Sequence, residues 1–173
     1  AIAFLDAGIN VICDKPLTAT REDAAALADA AKRSSAHFFL THNYSAHPMV
    51  REARAMVADG DIGTLRLVQA EYLQGWLSDD VQNKQADWRT DPARSGAGAI
   101  GDIGTHAWQL TEFVTGQTPA YLSADLSSMV AGRRVDDDAR IALRYDSGAK
   151  GGIWVSQVAA GQEGGLSLRL FGT

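Results

Sequence analysis

The sequence predicts two architectures in succession. The first is the closing piece of a parallel, doubly wound α/β domain over residues 1–43, and the second is an α+β domain with a run of antiparallel strands over 44–173. Three observations predict this. An apolar run at 9–13, an Ala-rich helical stretch and a second apolar run at 38–41 follow one another with short links, which is the strand–helix–strand unit of parallel sheets. Beyond residue 120, four strand-like segments come with no helical pattern between them. Asp146-Ser147-Gly148 supplies a hairpin turn between two of those segments.

Taken in order, AIAFLDAG reads as the tail of a helix closed by Gly8 at the position past the C-cap. Residues 9–13 form a short buried strand of the parallel type, broken by Asp14-Lys15-Pro16. Thr20 is placed to cap a helix reaching about Lys32, with Asp23 at the capping-box position. Pro48 suits the first turn of a helix with apolar positions Met49, Ala53, Met56 and Val57, ending at Gly60. Residues 65–73 read as a strand, and 76–95 as an irregular, polar loop bearing aromatics. A helix is predicted from about Asp102 to Thr115, closed by Gly116, followed by strands over 121–130, 140–145, 152–158 and 166–171. Met49, Met56 and Phe113 are expected in the core, and Asp136-Asp137-Asp138 as a solvated turn. The chain starts without Met and stops at the end of a strand, so it reads as a piece of a longer protein.

Bulk properties narrow the function. The 173 residues are 46% hydrophobic and 21% charged, enough apolar side chain to bury a core. A net charge of −5 without a Lys/Arg run argues against a nucleic-acid partner, which needs a basic surface. No apolar stretch approaches the ~18–20 residues of a membrane span, so no membrane partner is expected. Cys13 is the only cysteine, which excludes an internal disulfide and fits a reducing, cytoplasmic setting.

The chemistry-bearing residues gather at a few places. Asp102 and His106, in GAGAIGDIGTHAWQL, are four apart at the start of a helix, so both lie on one face and can meet. A carboxylate beside an imidazole fixes its tautomer and makes a proton acceptor useful near neutral pH. The competing reading is a helix N-terminal pair favoured by capping and dipole alone. GAGAIG matches G-x-G-x-x-G letter for letter, but NKQADWRTDPARS before it is no strand, so the phosphate-binding reading is rejected. Its glycines instead let the backbone approach a ligand or bend sharply before the helix.

Lys15 ends a buried strand, where open α/β sheets bind ligands, against the alternative of a solvated lysine. The Lys15–Pro16 bond is a candidate cis peptide. His42, Asn43, Tyr44 and His47 lie at the end of the next strand, near the same rim. A metal site from His42, His47, Asp102 and His106 is conceivable on ligand types, but nothing in the spacing demands it and none is assigned. Trp88-Arg89 reads as a buried anchor with its salt bridge, or as a flat face and bidentate donor for a polyhydroxylated or nucleotide ligand. Trp76 carries the same ambiguity.

Together CDKPL, THNYSAHP, WRTDPARSGAGAIGDIGTH and VDDDARIALRY resemble the glucose–fructose oxidoreductase/inositol dehydrogenase/rhizopine catabolism (Gfo/Idh/MocA) family, over essentially the whole chain and in the family's order. The family's Glu-Lys-Pro segment is similar to Asp14-Lys15-Pro16 here, and its Asp-x-x-x-His pair to Asp102 and His106. The resemblance implies a Rossmann domain followed by an α/β domain with a large, mostly antiparallel sheet. It implies NAD or NADP as cofactor, with Asp14, Lys15, Pro16, Asn43, Trp88 and Arg89 toward it. Tyr44, Trp76 and His106 would face a sugar or cyclitol substrate. Lys15, Asp102 and His106 would be catalytic in hydride transfer from a carbinol carbon, and a homo-oligomer, dimer or tetramer, would form through the sheet. Two rivals are an NAD-dependent glycosidase or lyase on the same scaffold, and a non-catalytic sugar-binding or assembly module.

Overall fold

In the computed structural model, which describes residues 1–173, Thr20 caps the first long helix reciprocally. Its hydroxyl oxygen accepts the Asp23 N–H at 3.1 Å and its O–H donates to the Asp23 carboxylate at 2.7 Å. That helix, α2 (Arg21–Arg33), connects strands β1 (Val11–Cys13) and β2 (Phe38–Leu40), which pair in parallel with Val11 opposite Phe38. A preceding short helix, α1 (Ile2–Asp6), contributes Leu5 to a small core with Leu27 and Ala30 of α2. β1 begins two residues later than the sequence predicts. The Ile9 N–H bonds back to the Phe4 carbonyl at 2.9 Å, and the Asn10 side chain accepts the His37 N–H at 2.8 Å, so both residues serve the end of α1 and the approach to β2.

Residues Ala1–Asn43 make one compact unit and Tyr44–Thr173 a second. After a single 3-10 turn (Asn43–Ala46), the second unit runs α3 (Pro48–Ala58), β3 (Leu67–Gln74), α4 (Lys84–Arg89), α5 (Pro92–Ser95), a wide π turn (Ile100–Gly104), α6 (Thr105–Thr115) and then β4 (Tyr121–Ser127), β5 (Asp138–Arg144), β6 (Lys150–Ser156) and β7 (Glu163–Phe171). The five strands form one sheet in the order β4-β5-β6-β3-β7. Three neighbouring pairs are antiparallel, and β3 lies parallel to β6. β3 and β5 alternate in burial as a one-sided sheet requires, whereas the edge strand β4 is exposed over most of its length. Val68, Ala70 and Tyr72 of β3, Ile141 and Leu143 of β5, and Ile153 and Val155 of β6 pack in the main core with Ile103 and Ala107. Tyr145 and Ala149 flank a tight β5–β6 hairpin whose Gly148 has φ 88°, in the left-handed region the turn demands. No helix is long and apolar enough to cross a membrane.

Several expectations are corrected. The stretch 76–95 is not all loop: Asn83 accepts the Gln85 and Ala86 amides to start α4, and Asp91 with Pro92 starts α5. Met49 and Met56 are exposed (75% and 42%) and not core; α3 turns its partly buried Val50, Ala53 and Val57 inward instead. Phe113 is half-buried under the Arg54 guanidinium, 4.6 Å from its ring centroid. The largest correction concerns Asp136-Asp137-Asp138, which is no solvated turn. Asp137 and Asp138 are 1% and 6% exposed, and all three carboxylates accept hydrogen bonds. Asp137 takes the Met129 and Val130 amides and the Arg133 guanidinium, and Asp138 takes the Trp154 indole N–H.

Candidate active site

In the first unit, the C-terminal rim of the parallel pair gathers Asp14, Lys15, Thr41 and His42. One oxygen of Asp14 accepts both the Lys15 N–H at 2.8 Å and the Thr41 hydroxyl at 2.6 Å, joining the ends of the two strands. The Lys15–Pro16 peptide is cis. Burial, and secondarily the positive charge of Lys15, lower the pKa of His42 from its ordinary value. A cation at the carboxyl ends of parallel strands is chemistry that suits an anionic, nucleotide-like group, so this rim fits a dinucleotide. Pro16 follows Lys15 in the same turn, and exposed Asn43 ends the unit.

In the second unit the site is built around the π turn and the first turn of α6. His106, 7% exposed, meets the ring of Tyr44 edge to face at 4.9 Å between centroids. The Tyr44 and Tyr72 hydroxyls share a hydrogen bond of 2.7 Å, and the Tyr72 ring lies tilted at 6.3 Å from His106. Burial first, then the hydrogen bond to Tyr44, raises the Tyr72 phenol well above its usual range, with the charge of Asp102 adding to the shift. Tyr72 therefore stays neutral at any physiological pH and can donate or accept a proton only within hydrogen bonds.

Asp102 is braced from two sides. One of its oxygens accepts both Arg89 Nε and Gln157 Nε2, each at 2.9 Å. The Arg89 guanidinium in turn lies over Trp88 at 4.5 Å and Trp76 at 5.8 Å, so α4 and the segment before it are tied to the Asp102 turn. Trp76 donates its indole N–H to Gln74 at 2.9 Å. The two sequence readings of Trp88-Arg89 are thus joined: it is an anchor with an ion pair, and the ion pair ends on Asp102. His47 stacks on Tyr44 at 6.2 Å and starts α3 through its backbone, without a capping bond from its side chain.

The structure brings Tyr44, Trp76, Trp88, Arg89, Asp102 and His106 into the second unit, and Asp14, Lys15, Pro16 and Asn43 into the first. Three members were not legible. Tyr72 sits at an inward position of β3, where the only available signal was a phenol that a buried site must satisfy. Gln157 is 2% exposed just past β6, and its partner Asp102 is 55 residues away in sequence. Asp136 accepts the Gly98 and Ile100 amides at 3.0 and 2.7 Å. The glycine loop therefore closes on the chain itself: a Cβ on Gly98 would stand 1.7 Å from the Asp136 carbonyl oxygen.

Comparison with known proteins shows what the chain is similar to as a whole. Residues 50–173 match the family model described as the GFO/IDH/MocA C-terminal domain, and residues 1–42 match the model described as the oxidoreductase family, NAD-binding Rossmann fold. The crystal structure of an oxidoreductase from Sinorhizobium meliloti is 49% identical, with TM-score 0.87, over 99% of this chain and 45% of its own. An inositol dehydrogenase homolog from Azotobacter vinelandii, solved with NAD+, is 35% identical, with TM-score 0.94, over 99% of this chain and 46% of its own. Levoglucosan dehydrogenase from Pseudarthrobacter phenanthrenivorans is 29% identical over 100% of this chain and 50% of its own. The chain thus spans about half the length of the curated relatives it matches, 45% and 50% for the first two. Matched along nearly its whole length by these two models, the chain belongs to the Gfo/Idh/MocA family of NAD-binding oxidoreductases.

Proposed function

We propose that the protein is an NAD(P)-dependent dehydrogenase that oxidises a CH–OH group of a sugar, sugar derivative or cyclitol. The observation that carries this reading is the buried His106, enclosed by Tyr44 and Tyr72, one turn after a carboxylate fixed by Arg89 and Gln157. The dehydrogenases among the relatives, one for levoglucosan and one an inositol dehydrogenase homolog, support the substrate class. A bound nicotinamide supplies the acceptor for the two electrons and hydrogen leaving the carbinol carbon.

The residues of this chain handle the proton and the geometry. His106 takes the proton from the substrate hydroxyl as the carbinol C–H bond breaks, and Asp102 holds the ring's orientation and stabilises the imidazolium that results. Tyr44 and Tyr72 exclude water from one side of the imidazole. Lys15 supplies positive charge that stabilises the developing alkoxide. Asp14 sets the position of Lys15 through its backbone, while Pro16 and Asn43 shape the cofactor's side. Trp88 and Arg89 serve the cofactor's side as well, and Tyr44 and Trp76 offer a hydroxyl and a flat face to a hydroxyl-rich substrate.

The test is turnover of the full-length enzyme after single substitution. His106→Ala and Lys15→Ala should each lower turnover by ~10²-fold or more. Near-wild-type turnover in either variant refutes the role given to that residue.

A further inference from the structure

We propose that Asp136 is a positioning residue for the proton-handling turn, acting as a latch that fixes the backbone immediately ahead of Asp102. Three consecutive amides of the glycine loop end on this one residue. Gly98 N–H donates to Oδ1 at 3.0 Å, Ile100 N–H to Oδ2 at 2.7 Å, and Ala99 N–H to the Asp136 carbonyl at 2.8 Å. These are the amides that a helix leaves without internal partners at its start, and a carboxylate there also meets the positive end of the helix dipole. The contact requires Gly98. With any side chain at that position the two backbones could not close, because the added Cβ would fall 1.7 Å from the Asp136 oxygen.

The latch is itself rigid. Next to it, Asp137 takes the amides of Met129 and Val130 and the guanidinium of Arg133, and the Ser128 hydroxyl donates to the Val135 carbonyl at 2.6 Å. The segment between β4 and β5 is therefore pinned before it reaches the glycine loop. Its grip passes on to Asp102 through one helical bond, from Asp102 N–H to the Gly98 carbonyl at 3.0 Å. Arg89 and Gln157 hold the Asp102 side chain, and Asp136 holds the backbone that carries it. A π turn is a rare conformation that concentrates at functional sites, and here it has external support at its first residue, Ile100. The catalytic part of this inference rests on the dehydrogenase reading above; the latch itself does not.

The experiment compares full-length wild type, Asp136→Asn and Asp136→Ala by hydrogen–deuterium exchange and by steady-state kinetics. Asparagine has the same shape but only one oxygen acceptor, so it separates hydrogen bonding from space filling. In both variants, exchange over residues 98–106 should accelerate by about 10-fold or more, while β3 and β7 keep wild-type protection. The kcat for the enzyme's own sugar or cyclitol should fall roughly 10- to 100-fold with KM for the cofactor unchanged, Asn being milder than Ala. Wild-type exchange over 98–106 in both variants overturns the latch. Faster exchange with unchanged kcat overturns its positioning role, and a wild-type-like Asn variant shows that Asp136 merely fills space. If wild type reduces no nicotinamide with any such substrate, the dehydrogenase reading fails, and the exchange result still decides the latch.

Discussion

Replacing Asp137 with alanine gives the sharpest contrast between a reading of the acidic triplet as solvated and the buried network the structure shows. Asp137 is 1% exposed and accepts the Met129 amide at 2.8 Å, the Val130 amide at 3.1 Å and Arg133 Nη1 at 3.2 Å. The Arg133 side chain is itself 4% exposed and keeps two other acceptors, the carbonyls of Leu77 and Asp79. Truncation removes the acceptor of two part-buried amides, at about 1 kcal/mol each, and the countercharge of a buried guanidinium, a loss of about 3–5 kcal/mol by itself. The terms overlap, and the surviving carbonyl contacts soften the charge loss, so the net destabilisation should be about 3–5 kcal/mol. At roughly 2–4 °C per kcal/mol for a domain of this size, the unfolding midpoint should drop by roughly 6–20 °C. The assay is thermal and denaturant unfolding of the full-length protein, with Asp137→Asn as the control that retains one acceptor. A solvated aspartate would change stability by no more than about 0.5 kcal/mol. An alanine variant within that margin refutes the network's contribution.

Two further substitutions probe the rest of the second unit. The Tyr145 hydroxyl is buried without a hydrogen-bond partner, and burial, followed by the nearby charge of Glu112, pushes its pKa up to about 12. Tyr145→Phe should therefore leave stability at neutral pH unchanged or raise it by up to about 1 kcal/mol. Because the folded-state pKa lies above the ordinary value of 10, the wild type loses stability as pH rises from 10 toward 12; the variant should lose less, and identical alkaline unfolding curves would contradict this. On the outer sheet face, Phe171, Leu67, Lys150, Arg144 and Tyr121 lie side by side in register, with Phe171, Leu67 and Tyr121 50%, 52% and 72% exposed. If this face joins two copies of the protein, sedimentation velocity should show a homo-oligomer that Leu67→Lys with Tyr121→Lys dissociates, and an unchanged mass in the double variant excludes the face.

What could be read from the sequence was whatever the chain states locally. Thr20 with Asp23, Gly116 at φ 67° after α6, and the Asp146-Ser147-Gly148 turn each declare themselves within a few residues, and each is found as expected. Asn83 and Asp91-Pro92 gave equally local signals, yet their helices span only six and four residues and the surrounding polar sequence masked them. The hidden parts depend on partners far along the chain. Nothing in the composition of β3 announces that it inserts between β6 and β7, and so the one parallel pairing of the five-stranded sheet was invisible. The acidic triplet reads as solvated because its donors are elsewhere: Gly98 is 38 residues from Asp136 and Trp154 is 16 from Asp138. At the site, Asp102 and His106 were singled out by their spacing and Arg89 by its place beside Trp88, while the contacts that Arg89 and Gln157 make with Asp102, and Tyr72 with His106, emerge only when the sheet and α4 converge.

His106 and its braced carboxylate are proposed to serve oxidation of a carbinol carbon by a nicotinamide. The most direct measurement is absorbance of reduced nicotinamide at 340 nm, a general property of the cofactor, as the full-length protein is offered NAD+ or NADP+ with a panel of sugars, sugar derivatives and cyclitols. Net, stoichiometric reduction is expected with at least one of them, abolished by His106→Ala. Bond cleavage of a glycoside with no net reduced nicotinamide, or net reduction that survives His106→Ala undiminished, contradicts it.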